Sequence, residues 1–383
     1  MPTMASSDTT SSTVAAADRR LRATYRVRSA ARDIEARAQA IALEQSIEAP
    51  LEAVMDRRIL DEVVGRVHAI TPIDDGVFDV SIDLATETVA DDASQLMNVL
   101  FGNASLLDDV ALVGVDLPSG IARTFGGPRF GIDGLRDLTG VRGRPLTCAA
   151  LKPQGSTTEA LASLARTFAR AGIDVIKDDH ALAHQAAAPF DERVPAVQRA
   201  VQATNAEFGT RCLYAPNVIG TYDAVRRQVD LARSLGVRIV LHAPMLNGAS
   251  SLSALARNGE VAIVAHPALA GATRIAPPLL LGTLFRLFGA DASIFPNAGG
   301  RFTFTQDACM GIADAARRPW LDLAPMLPVP AGGMSVERVP EMRERFGIDA
   351  MMLIGGSLLR ARERLDERCR AFVAAVQSAG DFR

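Results

Sequence analysis

The sequence predicts an α/β protein: a (β/α)8 barrel preceded by a small α+β domain of ferredoxin-like type. Three observations predict it. From about Pro145 onward, short apolar runs alternate with amphipathic helical patterns. Eight such strand–helix units fill roughly 240 residues, the usual size of a TIM barrel. Residues 20–130 lie outside that repeat and carry an alternating strand and helical patterns of their own.

Taken in order, residues 1–18 are rich in Ser, Thr and Ala and lack the apolar core of a secretion signal, so a disordered tail is expected. The α+β domain spans 19–130. It opens on a basic, helical-looking stretch (Asp18–Glu44), continues in an alternating strand from Val77 to Ile82 and adds a helix from about Ala93. Its boundary with the barrel, 131–383, is set near Gly131–Gly143. The barrel strands are expected at Pro145–Lys152, Asp174–Asp179, Arg211–Asn217, Val237–Ala243, Val261–His266, Ala292–Pro296, Leu327–Ala331 and Ala350–Ile354. Helices are expected at Thr157–Ala171, Arg193–Phe208, Tyr222–Leu235, Pro277–Phe288, Thr305–Ala316 and Val336–Phe346, with a short one near Ser251–Arg257 and a long last one from Ser357 to Ala379. A doubly wound open sheet is the alternative, but it rarely needs eight units.

Composition narrows the class. The chain is 48% apolar and 22% charged with a net charge of −3, which offers no electrostatic case for nucleic acid or an anionic membrane. No apolar run reaches the roughly 18 residues needed to span a bilayer. The four cysteines are far apart and form no CxxC pair, which fits a reduced cytoplasm with neither disulfide framework nor zinc site.

Chemistry concentrates at strand ends. In a strand the side chains alternate, so Lys177 and Asp179 share one face while Ile176 and Asp178 share the other. At the end of a barrel strand the first pair meets at the mouth of the axis, where barrel enzymes keep their reactive groups. Lys152 after strand one and His266 after strand five join them as catalytic candidates, with His242 near the end of strand four. Gly332-Gly333 and Gly355-Gly356 follow strands seven and eight, where bare backbone N–H groups often hold a phosphate. Gly299-Gly300-Arg301 after strand six could add a cation or be a simple turn.

On these residues the chain resembles the RuBisCO superfamily, specifically its RuBisCO-like (form IV) proteins. The segments that carry the likeness are Phe125-Gly126-Gly127-Pro128, Ala150-Leu151-Lys152-Pro153-Gln154-Gly155, Gly172 to Asp179, Gln185 with Pro189-Phe190, Pro328 to Gly333, and Gly355-Gly356. The resemblance implies that Lys177 is carbamylated by CO2 and holds Mg²⁺ or another divalent ion with Asp179 and His180. It makes Lys152 a proton-handling lysine. It also makes Asn103 a residue that crosses into a neighbouring subunit's site, so that a homodimer is implied, and matches Glu44 to the family's N-domain glutamate.

The departures matter too. His180 stands where the family has a glutamate ligand, and imidazole is the softer donor. Gln154 replaces a lysine, the loop after strand six lacks the lysine that polarises CO2, and Pro267 replaces a phosphate-binding arginine. Carboxylation of ribulose bisphosphate is therefore not expected. The first reading is a metal-assisted lyase or C–C hydrolase of a phosphorylated 3-oxo sugar acid, as in the branch linked to apionate-type catabolism. The second is an enolase or isomerase of a methylthio-pentulose phosphate. Against its enolase form stands Asn103, where those enolases carry a lysine. A sugar-phosphate binder without catalysis is the third.

Overall fold

The computed structural model describes residues 19–378; the expected N-terminal tail and Ala379 lie outside the described residues. Arg20–Arg28 (β1) buries Leu21, Ala23, Tyr25 and Val27 and turns its arginines to the other face. The helical start expected at Asp18–Glu44 is therefore corrected: helix begins only at Ile34–Glu44. The arginines, good helix formers by composition, masked a period of two. Arg66–Asp74 (β2) is a second strand that alternation does not reveal, because it is an edge strand, largely exposed and interrupted by Pro72. A tight Asp75-Gly76 turn, with Gly76 at φ +64°, leads into Val77–Ala85 (β3). Helix Ala93–Phe101 and Val110–Asp116 (β4) complete a βαββαβ unit. Its antiparallel sheet has the order β2-β3-β1-β4, the ferredoxin-like arrangement.

The barrel strands are Leu146–Leu151 (β5), Val175–Asp178 (β6), Leu213–Ala215 (β7), Asn217–Val218 (β8), Ile239–His242 (β9), Ala262–Ala265 (β10), Ala292–Pro296 (β11), Leu327–Ala331 (β12) and Met351–Ile354 (β13). All pairs are parallel. β7 and β8 are two halves of the third barrel strand, interrupted at Pro216, which has no N–H to give to a ladder. β7 pairs with β6 and β8 with β9, so the broken strand closes the ring and eight barrel positions result. Inside, Cys148, Val175, Leu241, Val264, Ile294 and Leu353 belong to a core of their own, separate from the core between sheet and helices. That separation identifies which residues point along the axis.

The last helix is not continuous as expected; it breaks into Gly356–Leu359, a 3-10 turn Arg362–Arg364 with Arg362 at φ +50°, and Leu365–Ser378. The two units are stitched together beyond β10. Leu112 of β4 exchanges backbone hydrogen bonds with Arg274 and Ala276, and the Arg274 guanidinium donates to the carbonyls of Ser105, Leu107 and Val110. No helix among the described residues is long and apolar enough to cross a membrane.

Candidate active site at the barrel mouth

The alternation seen in β6 puts Val175 in the barrel interior, and the same face then carries Lys177 and Asp179. Each is 4% exposed. Ala150 and Val264 are interior residues as well, so Lys152 and His266, two positions further on, also turn to the axis. The side chains meet there. Lys152 Nζ donates to Asp179 Oδ2. Asp179 Oδ1 accepts from the Ala181 N–H at 2.9 Å and lies 3.3 Å from His180 Nδ1. The His180 ring lies flat on His266, with centroids 4.2 Å apart and planes 11° apart. Lys177 Nζ, deeper in the barrel, donates to its neighbour's carbonyl, Asp178 O, at 2.8 Å.

The electrostatics follow from burial and crowded cations. Burial, reinforced by Lys152, lowers Lys177 to about 8. Burial and then Arg301 lower Lys152. Burial followed by Lys177 and Lys152 lowers His180, and burial with Lys177, His180 and Lys152 pushes His266 down to about 2. Both imidazoles are therefore neutral near pH 7, and of the two His266 is left a very weak base. Arg301, exposed with its guanidinium 5.1 Å from the Phe302 ring, is the cation above this group.

The glycine turns form one rim beside it. Gly332 and Gly333 have φ of +78° and +66°. A Cβ on Gly333 would lie 2.6 Å from Gly300 Cα, so the loops after β11 and β12 touch backbone to backbone. Ser357 Oγ donates to Met334 O at 2.7 Å, tying the Gly355-Gly356 turn to the same rim. A Cβ on Gly355 would sit 3.8 Å from Lys152 Cε. The rim thus adjoins the lysine.

Two sequence candidates are placed elsewhere. His242 is fully buried but follows Leu241, an interior residue, so it faces outward with Val240. Its Nδ1 meets Asn247 Nδ2 at 3.1 Å, and burial lowers it to about 4. The sequence reading of His242 as a mouth residue is corrected, since one position of register decides the face. Asn103 begins a short 3-10 turn on the N-terminal unit and donates from Nδ2 to Glu44 Oε1 at 2.8 Å. Asn103 and Glu44, both N-terminal-domain residues in the resemblance, meet each other here, and their hydrogen bond lies on the N-terminal unit.

A divalent ion fits these residues in one state only. With free amines the mouth holds two lysines and a single carboxylate, and the described residues contain no group of three His, Cys, Asp or Glu placed to hold a metal. Carbamylation of Lys177 would replace an ammonium by anionic oxygen on the face shared with Asp179, with His180 beside it. An amine lowered to about 8 is the one suited to take up CO2.

Sequence reasoning gave no role to four residues that shape the site. Asp178 and Arg193 form a fully buried ion pair behind β6, and Asn217 of β8 reaches the loop after it. Arg338 bridges two rim loops, donating to Gly333 O at 3.0 Å and Ala298 O at 3.2 Å. One signal was available throughout: of the 41 Lys and Arg residues only Lys152 and Lys177 are lysines. Where positive charge alone is needed this chain uses arginine, so its two amines stand out, and the fold brings both to one mouth.

Residues 131–360 match the family of the ribulose bisphosphate carboxylase large chain, catalytic domain. The chain is 52% identical over 362 residues to ribulose bisphosphate carboxylase-like protein 1 of Rhodopseudomonas palustris, covering 94% of this chain and 98% of the relative. It is 51% identical over 362 residues to 5-methylthioribulose-1-phosphate isomerase of Rhodospirillum rubrum, covering 94% and 97% respectively. A crystal structure of a Rubisco-like protein from Rhodopseudomonas palustris superposes with a TM-score of 0.89 at 47% identity, over 95% of this chain and 99% of that one. With the fold, the mouth and these relatives in agreement, the chain belongs to the RuBisCO-like (form IV) branch of the RuBisCO large-chain family.

Proposed function

We propose that this protein isomerises a 5-methylthiopentulose 1-phosphate through an enediolate. One observation carries the reading: Lys152, Lys177, Asp179, His180 and His266 converge on the barrel mouth of a chain half identical, over nearly its whole length, to an isomerase of that substrate class. The relatives thus favour the second reading of the sequence over the first, cleavage of a 3-oxo sugar-acid phosphate.

Isomerisation of a ketose needs a proton removed beside the carbonyl and returned to another carbon, with negative charge on oxygen between the two events. The neutral imidazole of His180 is available to take and return that proton, with the His266 ring stacked against it. Lys152, held by Asp179, donates to the oxygen that becomes charged. The N–H groups of the Gly332-Gly333 turn receive the phosphate, with Arg301 above. Lys177 as its carbamate and Asp179 would hold Mg²⁺ or another divalent ion, which when bound supplies Lewis-acid stabilisation of the enediolate and leaves the His180 imidazole free as the base. The protein acts as a homodimer in which Asn103 of one chain completes the other's site.

The test is incubation of the purified protein with 5-methylthioribulose 1-phosphate in D2O containing Mg²⁺ and bicarbonate, followed by NMR. An isomeric product is expected, its proton shuttled by a protein base. Release of CO2 from a 3-oxo acid phosphate, with no isomerisation, would restore the first reading. Binding of either phosphate without turnover would make the protein a binder. A second check is thermal: Mg²⁺ plus bicarbonate should raise the Tm of the wild type and not of Lys177→Met, since a ligand bound only by the native state stabilises it.

A further inference from the structure

The strand that sends Lys177 and Asp179 to the axis sends Asp178 the other way, into a polar network behind the mouth. Asp178 and Arg193 are both wholly buried, with Arg193 Nε 3.2 Å from Asp178 Oδ2. The carboxylate also accepts from the Tyr214 hydroxyl at 2.8 Å and from the Asn217 N–H at 3.0 Å. Breaking such a pair leaves an uncompensated buried charge, which makes it a firm anchor.

What the anchor holds is the loop that presents His180. Asn217 Nδ2 donates to His180 O at 3.0 Å and to Leu182 O at 2.8 Å. Arg193 Nη1 donates to Ala183 O at 2.9 Å and Ala188 O at 2.7 Å. Four carbonyls of one loop are thus fixed by the side chains of two residues tied to Asp178, Arg193 through its guanidinium and Asn217 through its backbone N–H. The His180 ring itself is 41% exposed, so packing alone does not fix it on His266.

We propose that Asn217 is a positioning residue: its amide, set by the Asp178–Arg193 pair, places the His180 backbone so that the imidazole rests on His266 beside Asp179. The interruption of the third barrel strand at Pro216 is where Asn217 begins the second half, its N–H on Asp178 and its amide on the loop. The inference rests on the reading of His180 as a participant in proton transfer.

A double-mutant cycle tests it, using the full-length protein and 5-methylthioribulose 1-phosphate. Asn217→Ala is expected to lower kcat by about 30- to 100-fold with KM changed less than about threefold, because misplacing a reacting group by about 1 Å costs on that order. His180→Ala should lower it at least as much. In the His180→Ala background, Asn217→Ala should then cost less than about twofold, since the residues act as one unit. Fully additive losses would overturn the positioning role while leaving His180 catalytic. Undiminished kcat in His180→Ala would instead remove the reading on which the role rests. A second readout needs no activity. The chain has five histidines, and NMR of histidine-labelled protein should show ring-current-shifted signals from the stacked pair. Asn217→Ala should return them toward ordinary positions; unchanged shifts in a folded variant would overturn the proposal whatever the substrate. If Asn217→Ala does not fold, Arg193→Lys takes its place in both measurements, because it keeps the charge beside Asp178 and loses the donors to the loop.

Discussion

An ammonium buried without a carboxylate beside it costs stability unless it gives up its proton, and Lys177 is in that position, its Nζ donating to a carbonyl. Its lowering from 10.5 to about 8 corresponds to about 3 kcal/mol of stability at neutral pH that the fold forgoes. The sign is that of a depressed pKa: the neutral amine suits the fold, so the contribution is complete above 10.5 and is lost as pH falls toward 8. Lys177→Met should therefore raise stability near pH 7 by about 1–3 kcal/mol in chemical denaturation while abolishing turnover. An unchanged or lower stability would mean that the amine is better solvated than its burial indicates. The same pKa predicts that, at a fixed concentration of dissolved CO2, activation speeds up about tenfold per pH unit below 8 and levels off above it, because only the free amine reacts with CO2. At this scale Lys177 and Asp179 were legible from the strand period, whereas His242 was not: both faces of a barrel strand are apolar here, so nothing in its neighbours shows which way it turns.

Elements succeed or fail by whether their pattern is local. The barrel strands announce themselves as short apolar runs, and each was found within a few residues. β1 and β2 were hidden for opposite reasons, one by arginines on its open face and the other by exposure at a sheet edge. The anchor behind β6 was illegible because Asp178, Arg193 and Asn217 come from three elements that only the closed ring brings together. The rim loops are likewise a joint product. Gly333→Ala would force a methyl onto Gly300 and strain a left-handed backbone, so the loops must separate. The expected result is a KM raised about tenfold or more with a smaller change in kcat, because a turn that receives the phosphate, as proposed, binds substrate and transition state alike. Steady-state kinetics decide this, and a loss confined to kcat would place the phosphate elsewhere.

For the whole molecule the question is what the N-terminal unit contributes. It is bound to the barrel through Arg274 and the strand-like contact at Leu112, and it presents Asn103 and Glu44 together on its surface. If Asn103 completes a partner's mouth, two dead variants can repair each other. Mixtures of Asn103→Ala and Lys177→Ala, allowed to exchange subunits, should regain up to about a quarter of wild-type activity, because half the dimers are mixed and each has one intact site. No recovery in a preparation shown by mass spectrometry to contain mixed dimers would confine the site to one chain.

The pairing of the only two lysines at one mouth has a consequence outside catalysis. Acetyl, succinyl and similar acyl groups, whether carried by enzymes or by reactive thioesters, attach to amines and leave guanidinium groups alone. Apart from its α-amino group, this protein offers such donors no surface position to mark. Any acyl group on a lysine of this chain lands at the barrel mouth, so if the reaction is run there as proposed, the chemical record of metabolic stress and the loss of activity are a single event.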